Sequence, residues 1–278
     1  MRKAVTNEIS RRRALKIRDG PHVMNPRNEP LVLQVHELPE GWCDVVGDGR
    51  MGRAIAAALR AAGVATRGPL GRNADASGSV IVLLCVPDRE IANASAAIAP
   101  GPLVGHLSGS AALSVLEPHE RFTIHPLLSV VGADASFRGA AAAIDGSSAR
   151  ALDVARALAT SLGMRPRVID REHRSLYHAA ASAASNYLIT VLALAERLAA
   201  ETGLERSDLE PLVSSTLEHW KSLGAARALT GPIVRKDEGT VATQRAAVLD
   251  HAPETIALWD ALVAGTRELA RQSNGSNE

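Results

Sequence analysis

Three glycines with a fixed spacing join a short apolar run to an alanine-rich segment in CDVVGDGRMGRAIAAAL, residues 43–59. In the pattern G-x-G-x-x-G between a strand and a helix, the first glycine allows a tight turn. The second lets a pyrophosphate approach the backbone, and the third lets the helix pack on the strand. The alternative is a glycine-rich turn that binds no ligand. The loop residues predicted to contact a dinucleotide are Gly47, Asp48, Gly49, Arg50, Met51 and Gly52.

Strand and helix patterns alternate from about residue 43 to residue 170. The run SVIVLLCVP, residues 79–87, is rich in leucine and β-branched residues, which is typical of a strand buried on both faces. This rhythm predicts an α/β fold with a doubly wound, Rossmann-like parallel sheet. After Asp170 the strand signals stop. Residues 172–201 contain no glycine or proline, which indicates a long helix that opens an all-helical C-terminal domain.

The first thirty residues differ from the rest, with eight basic residues against three acidic ones. They contain no apolar core of a signal peptide. A basic arm that binds nucleic acid is one interpretation; we expect instead a disordered tail, or upstream sequence before a start at Met24. The predicted parts are a basic, disordered extension (1–38), a Rossmann-like dinucleotide-binding domain (39–170), a helical domain (171–272) and a disordered tail (273–278).

Composition narrows the classes of function. The formal net charge is +1, which gives no reason to expect a nucleic-acid-binding surface. No apolar run approaches the roughly 18 residues of a membrane span. Cys43 and Cys85 each lie in an apolar run without a second cysteine or a histidine at metal spacing. We therefore expect buried thiols, no metal site and a reducing, cytoplasmic location, with neither membrane nor nucleic acid as a partner.

The end of the second predicted strand distinguishes between two dinucleotides. A site for NAD(H) usually has an acidic residue about 20 residues after the glycines, where it binds the ribose 2′-hydroxyl. This window contains Arg67 and Arg72, and no acidic residue before Asp75. Arginine suits a 2′-phosphate, so the sequence favours NADP(H) over NAD(H), with Arg72 as the better contact. The alternative is that both arginines are ordinary surface residues.

Polar residues follow three more predicted strands: VPD at 86–88, HLSGS at 106–110 and HPL at 125–127. Ligands of doubly wound sheets bind at the carboxyl ends of strands. These ends are therefore expected to surround the reacting part of the cofactor and a small-molecule substrate. Val86 and Pro87 are predicted to contact the cofactor.

Two of these strand ends carry candidates for proton transfer. His125 is held extended by the proline that follows it, and an imidazole titrates near pH 6.5, which suits acid–base work beside a hydride transfer. A structural role for His125 is the alternative. Ser108 is a candidate for both catalysis and cofactor binding, although a serine here also suits a turn cap. His106 is expected to be a structural histidine within the sheet.

The long helix carries a polar stripe at helical spacing, formed by His178, Ser182 and Asn186. A polar stripe in an alanine-rich helix needs partners or a ligand, so His178 and Asn186 are candidate catalytic residues and Ser182 a candidate substrate contact. The alternative is that the stripe faces solvent. Arg235, in the later loop TGPIVRKD, is a candidate for binding a substrate carboxylate, although such a charge is more often solvated.

Taken together, GDGRMG, CVPD, HLSGS, HPL, YHAAASAASNYL and LTGPIVRKD resemble the bacterial proteins with a Rossmann-like N-terminal domain and a C-terminal domain called DUF2520. The resemblance covers residues 40 to about 270 and implies the class of 6-phosphogluconate dehydrogenase-like oxidoreductases. That class includes pyrroline-5-carboxylate reductase, prephenate dehydrogenase, ketopantoate reductase and the β-hydroxyacid dehydrogenases. It implies an NADP(H)-dependent enzyme acting on a small, anionic hydroxy or keto acid or an imine, and a homodimer formed through the helical domain.

The resemblance also suggests individual roles. His125 is similar to the substrate-binding histidine of the His-Pro motif in prephenate dehydrogenases, and Ser108 to their strand-end serine. Asn186 matches the asparagine of the β-hydroxyacid dehydrogenases, but Ser182 replaces their catalytic lysine. This departure shifts the chemistry to His125 or His178. It also leaves open two other functions, a dinucleotide-binding regulatory protein without catalysis and an enzyme like the NADP-coupled deazaflavin (F420) oxidoreductases.

Overall fold

The computed structural model of the chain describes residues 38–71, 73, 74 and 76–275. The predicted basic extension up to residue 37, the candidate Arg72 and the tail after residue 275 lie outside the described residues. The sheet and the helices described below belong to one compact unit.

Seven strands form one sheet in the spatial order β2-β1-β3-β4-β5-β6-β7. Their bounds are β1 (Trp42–Val46), β2 (Thr66–Leu70), β3 (Ser79–Leu84), β4 (Leu103–His106), β5 (Arg121–Pro126), β6 (Ala141–Gly146) and β7 (Arg165–Val168). All neighbouring strands run parallel except β5 and β6. The chain order reverses between β1 and β3, and this is where ligands of such sheets bind.

The antiparallel pair of β5 and β6 departs from the purely parallel sheet that the sequence predicts. Residues 127–140, all of them described, join the two strands without a helix. A parallel pair needs a crossover, usually a helix, to return the chain to the same edge. This irregular loop instead reverses the chain, and Phe137 within it is buried in the core.

The helices of the described chain fall into two groups. Those on the sheet are α1 (Arg50–Ala61), α2 (Ile91–Ala96) and α3 (Ala149–Ser161). The C-terminal group consists of α4 (Arg174–Ser182), α5 (Leu188–Ala200), α6 (Arg206–Leu223), α7 (Ala225–Ala228), α8 (Glu238–His251) and α9 (Ile256–Gly275). An α/β region followed by a helical region is therefore confirmed. The last helix extends to Gly275, three residues into the segment predicted as a tail.

The sheet is covered on both faces, which confirms the doubly wound architecture. One apolar layer packs α1 and α3 against the sheet and includes Ile55, Leu59, Leu83, Phe122, Leu158 and Met164. The other layer packs α2 against the opposite face and includes Val82, Leu84, Ile91, Val104 and Leu116. Both layers are mainly aliphatic, as the aromatic content of 3% requires.

Helix α4, a π-helical turn at Ala183–Tyr187 and α5 follow one another without a break. By length and composition, Arg171–Ala200 is apolar enough to cross a membrane, and 6% of its most apolar window is buried. No segment of this kind is expected from the sequence when the criterion is an unbroken apolar run. Here the apolar residues are interrupted by serine, threonine and asparagine rather than by charged residues. One helix of this kind is weak evidence for a membrane.

Candidate functional site

Two of the three glycines in the loop after β1 are required by the fold itself. Gly47 has φ +114°, and a Cβ there would lie 2.5 Å from the carbonyl oxygen of Cys85. A Cβ on Gly52 would lie 1.8 Å from the carbonyl oxygen of Gly47. Gly47 therefore makes the turn beside β3, and Gly52 lets α1 pack against that turn.

The middle glycine, Gly49, has a different reason to be glycine. It is the N-cap of α1 with φ −84° and ψ −178°, a conformation open to any residue. A Cβ on Gly49 would meet nothing within 4 Å. The first amide groups of α1 have no intrahelical acceptor, and its first turn contains no acidic residue. The loop thus keeps an open space at a helix N-terminus, which fits the pyrophosphate of a dinucleotide.

The other residues predicted to line this loop lie around it. Asp48 is held by Arg53, whose Nε and Nη2 donate to its two carboxylate oxygens at 2.7 and 3.0 Å. This pairing lowers the pKa of Asp48 and offsets its charge beside the anion site. Arg50 is exposed, and Met51 packs partly against the core.

The strand on the other side of the loop supplies two more of the predicted contacts. A Cγ atom of Val86 would lie 3.2 Å from a Cβ on Gly47, so Val86 flanks the turn. Pro87 follows it and is exposed.

Arg67 is not available for a 2′-phosphate. Its Nε and Nη2 each donate to a carboxylate oxygen of Asp44 at 2.7 Å, and Asp44 is fully buried. The guanidinium also lies 5.7 Å from the ring centre of Trp42. Arg67 therefore neutralises a buried carboxylate within the sheet. These contacts support neither the cofactor contact nor the ordinary surface residue that the sequence left open for Arg67.

Strand ends β3 and β4 are joined by a cluster of hydroxyl groups around Asp88. Ser108 Oγ and Ser110 Oγ each donate to Asp88 Oδ2 at 2.7 Å. Ser108 Oγ also accepts from the backbone amides of Ser110 and Ala111 at 3.1 and 2.9 Å. Ser108 thus caps its own turn, and it is not part of the cavity wall described below. Its predicted catalytic role gains no support from these contacts.

His106 is fully buried and acts within the sheet, as expected. Its Nδ1 accepts from the amide of Ser108 at 3.2 Å. Burial, together with the nearby Arg174, lowers the pKa of His106 to about 4. A neutral, enclosed imidazole fits the structural role.

Strand β5 and helix α4 meet in a ladder of polar contacts. Thr123 and His125 are two residues apart on β5 and lie on one face of the sheet. Arg174 Nη2 donates to Thr123 Oγ1 at 3.0 Å, and Tyr177 Oη lies 2.7 Å from His125 Nδ1. Residues i and i+3 on α4 therefore contact residues i and i+2 on β5.

The loop after β4 closes over this ladder. A Cβ on Gly109 would lie 2.7 Å from both His125 Cε1 and His178 Cδ2. The centres of the two imidazole rings are 6.1 Å apart. Strand ends β4 and β5 and helix α4 therefore bring His125, Tyr177 and His178 together.

Burial determines the charge of the central pair. Burial, then His178 and Arg174, lower the pKa of His125 to about 4, against the opposing effect of Asp88. Burial raises the pKa of Tyr177 to about 12. At neutral pH, His125 is therefore uncharged and Tyr177 keeps its proton. The pKa of His125 therefore lies below the ordinary value of an imidazole.

These residues line a cavity of about 640 Å³ between the end of β5 and the long helix. Its wall consists of His125, Pro126, Leu127, Leu128, Ser129, Tyr177, His178, Ala180, Ala181, Ser182, Ala184, Ser185 and Asn186. The predicted stripe of His178, Ser182 and Asn186 thus faces the cavity. Arg235 does not: it is exposed in the loop before α8, beside Asp237.

A π-helical turn shapes the cavity wall. The turn at Ala183–Tyr187 adds a residue to the helical repeat and so rotates the part of the helix after it. Ser182, Ser185 and Asn186 all lie on the cavity wall beside this turn. π turns occur frequently at functional sites.

Tyr177 and Ser185 are site residues that the sequence did not predict. Tyr177 is one of two tyrosines in the chain and precedes a candidate histidine. Neighbours in a helix point about 100° apart, so a single stripe includes only one of them. The cavity is wide enough to contact both. Ser185 lies three residues after Ser182 and therefore on the same helix face, so its helical spacing could have identified it.

One group of possible metal ligands occurs among the described residues, formed by Asp170, Glu172 and His173. All three are exposed, and none is part of the cavity wall. The candidate site therefore consists of the glycine loop and the cavity.

The second half of the chain has a recognisable family. Residues 140–266 match the model of a family described as Domain of unknown function (DUF2520). This region therefore resembles a DUF2520 domain. The match begins at β6, so the DUF2520 region includes β6, α3 and β7 as well as the helices. It contains Tyr177 and the polar stripe, while His125 and the glycine loop precede it.

Solved structures share the architecture over most of the chain. BF3122 from Bacteroides fragilis, a proposed NADP oxidoreductase, has a TM-score of 0.70 and 20% identity, covering 82% of this chain and 98% of its own. Protein TM1727 from Thermotoga maritima has a TM-score of 0.71 and 22% identity. The match covers 82% of this chain and 99% of TM1727. A reductive aminase from Aspergillus terreus, solved with NADPH and ethyl-5-oxohexanoate, has a TM-score of 0.61 and 16% identity. The match covers 81% of this chain and 92% of the aminase. At these identities the likeness establishes the fold. No curated protein sequence matches this chain.

Proposed function

We propose that this protein is an NADP(H)-dependent oxidoreductase that acts on a small imine or carbonyl compound. The observation that carries the proposal is the pairing of Tyr177 and His125 in a cavity at the carboxyl edge of the sheet. The open glycine loop lies at that same edge. Support also comes from the similar reductive aminase, whose structure contains NADPH.

The glycine loop is proposed to hold the pyrophosphate, with Gly49 leaving the space and the start of α1 supplying amide donors. The bound nicotinamide would supply the hydride, and this chain would supply position and the proton. Val86 and Pro87 would flank the dinucleotide between β1 and β3.

Tyr177 is the proposed proton donor to the substrate. Its hydroxyl is protonated at neutral pH, faces the cavity and lies 2.7 Å from His125 Nδ1 and 3.3 Å from the His125 carbonyl oxygen. A neutral imidazole with its proton on Nδ1 can donate a hydrogen bond to the Tyr177 oxygen, which then carries the negative charge left when the hydroxyl proton moves to the substrate. His125 therefore orients the hydroxyl and stabilises it as the proton leaves.

The cavity favours an uncharged reacting group. No lysine, arginine or carboxylate belongs to its described wall, whose apolar part is built from alanine, leucine and proline. Arg235, the predicted partner of a substrate carboxylate, lies outside that wall. We therefore favour a neutral imine or ketone over the anionic hydroxy acid that the sequence suggested.

The test of this function is a titration of the protein with NADPH and NADH, followed by a substrate screen. Cyclic imines, ketones, keto acids and hydroxy acids would be screened through the absorbance of the nicotinamide. Saturable NADPH binding with turnover of a neutral imine or ketone is expected. Tight NADPH binding without turnover across the screen would favour the regulatory alternative, and no binding would refute the cofactor site.

Cofactor selectivity is expected to depend on Arg72. Arg72→Ala should weaken NADPH binding by about 1.5–3 kcal/mol, the value of a hydrogen bond to a charged group. NADH binding should change little, because NADH has no 2′-phosphate. Fluorescence titrations of both cofactors measure the difference, and Arg150→Ala on α3 is the control. Equal losses for the two cofactors would contradict this role of Arg72.

A homodimer through the helical domain is also proposed. Five large apolar side chains on that domain are 55% to 69% exposed: Leu176, Tyr187, Ile189, Leu212 and Trp220. Exposed apolar surface of this extent marks an interaction site.

Light scattering at micromolar concentration should therefore report a dimer. The double variant Ile189→Glu, Leu212→Glu should shift it towards monomer, because charges would enter an apolar interface. Val131→Glu is the matched control, since Val131 is 78% exposed but lies in the loop between β5 and β6. A monomeric wild-type protein would contradict the proposed assembly.

A further inference from the structure

A second cavity of about 240 Å³ lies at the other end of α4 from the candidate catalytic cavity. It is bounded by the start of β5, the end of β6, the beginning of the long helix and a turn after β4. Its charged wall residues are Arg121, Arg171, Arg174, Glu117 and Asp145, and the turn contributes residues 112–114.

Two of the arginines are paired with the two carboxylates. Arg121 Nη2 donates to Glu117 Oε1 at 2.8 Å, and Arg171 Nε donates to Asp145 Oδ2 at 3.2 Å. The cavity wall therefore has one guanidinium more than it has carboxylates.

The third arginine, Arg174, is bound to neutral oxygens. Its Nη2 donates to the carbonyl oxygen of Ser108 at 3.1 Å and to Thr123 Oγ1 at 3.0 Å. Arg174 is half-buried, and burial lowers its pKa against the opposing effect of the nearby Asp145, which forms no hydrogen bond with it, so its charge is partly desolvated. A partly desolvated cation without a bonded carboxylate attracts an anion.

The hydrogen-bonding capacity of two guanidiniums is also incompletely used. The Nε atoms of Arg121 and Arg174 are buried and have no hydrogen-bond partner within the described chain. A small shift of either planar guanidinium group towards the cavity would allow it to form two parallel hydrogen bonds with an oxyanion.

We propose that this cavity, lined by Arg121, Arg171 and Arg174, is a binding site for a small oxyanion, either a carboxylate or a phosphate group. Its volume is below the roughly 300–1,000 Å³ of pockets for drug-sized ligands, so the occupant is small. The single excess positive charge matches one anionic group. The site is separate from the glycine loop and from the cavity that contains His125.

The site is placed to affect α4. Arg174 lies one helical turn before Tyr177 and also holds the carbonyl oxygen of Ser108, next to Gly109, which packs on His125. An anion that binds both Arg174 and Arg121 would therefore link α4, β5 and the loop after β4 and hold them in their relative positions. Binding is expected to stabilise the folded protein.

The test measures the melting temperature and the binding isotherm of the full chain with increasing phosphate or acetate, at constant ionic strength set with sodium chloride. A saturable rise of the melting temperature is expected. Saturation by phosphate alone assigns a phosphate-bearing ligand, and saturation by acetate alone or by both anions assigns a carboxylate-compatible site. No saturable effect of either anion would overturn the proposal.

Variants locate the bound anion. Arg171→Gln is the decisive one, because this side chain is 72% exposed and its replacement should preserve the fold. It should weaken the anion by about tenfold or more, the loss expected for one charge-assisted contact. Arg150→Gln is the matched control, since Arg150 is another exposed arginine paired with a carboxylate, Glu120. It should leave the isotherm unchanged.

Arg121→Gln and Gly49→Asp complete the set. Arg121→Gln should weaken the anion similarly, and circular dichroism would show whether the turn that Arg121 supports is retained. Binding that survives Arg171→Gln but is lost in Gly49→Asp would place the anion at the glycine loop and overturn the proposal. That outcome would leave the proposed oxidoreductase function intact.

Discussion

Gly49→Asp is expected to abolish NADPH binding while the protein remains folded. A Cβ at this position meets nothing within 4 Å, and its φ and ψ suit any residue. Aspartate is a favoured N-cap, so α1 should keep or gain stability. The new carboxylate would fill the open space and repel the pyrophosphate. We expect a loss of affinity of about 100-fold or more, since two such charges a few ångströms apart interact by several kcal/mol near a protein surface.

Fluorescence titration with NADPH and thermal melting measure the two halves of this prediction. Gly52→Ala is the contrasting variant, because its Cβ would lie 1.8 Å from the carbonyl oxygen of Gly47 and the loop would have to move. We expect Gly52→Ala to lower the melting temperature and Gly49→Asp to leave it unchanged or raise it. Unchanged NADPH affinity in Gly49→Asp would show that the loop is an ordinary turn.

The glycine loop also shows why this part of the fold could be predicted from the sequence. Its spacing reflects local geometry: a positive φ at Gly47 and a close approach at Gly52. The buried run of β3 and the glycine-free stretch of the long helix are likewise local patterns. Each is recognisable because its signal lies within a few residues of chain.

Contacts between distant segments could not be predicted in the same way. Arg67 is 23 residues from Asp44, and nothing in either segment indicates the pair. Tyr177 is 52 residues from His125, and their contact depends on the angle at which α4 crosses β5. The lowered pKa of His125 could not be predicted for the same reason, because its burial comes from elements far away in sequence. The antiparallel direction of β6 results from a loop that contains no helix.

Replacement of the central pair should reduce turnover without loss of the cofactor. Tyr177→Phe removes the proposed donor and keeps the ring, and His125→Asn removes the group that orients it. Each should lower kcat by about 10²–10⁴-fold, the usual contribution of general acid–base catalysis. NADPH affinity should be unchanged, since both residues lie away from the glycine loop. His178→Ala is the control: a larger loss there would transfer the main role to His178. Ser108→Ala should have the smallest effect on kcat, because its hydroxyl is bound to Asp88.

The pH profile separates the two possible donors. If protonated His125 were the donor, a pKa of about 4 would leave only a very small fraction of it active at pH 7, and the reductive rate would rise steadily as pH falls from 7 towards 4. If Tyr177 is the donor, its pKa of about 12 keeps it protonated throughout this range. The reductive kcat/KM should then be flat from pH 8 to about pH 5. The role of Tyr177 would be contradicted if the rate increased on acidification and His125→Asn abolished that increase. The proton would then come from His125.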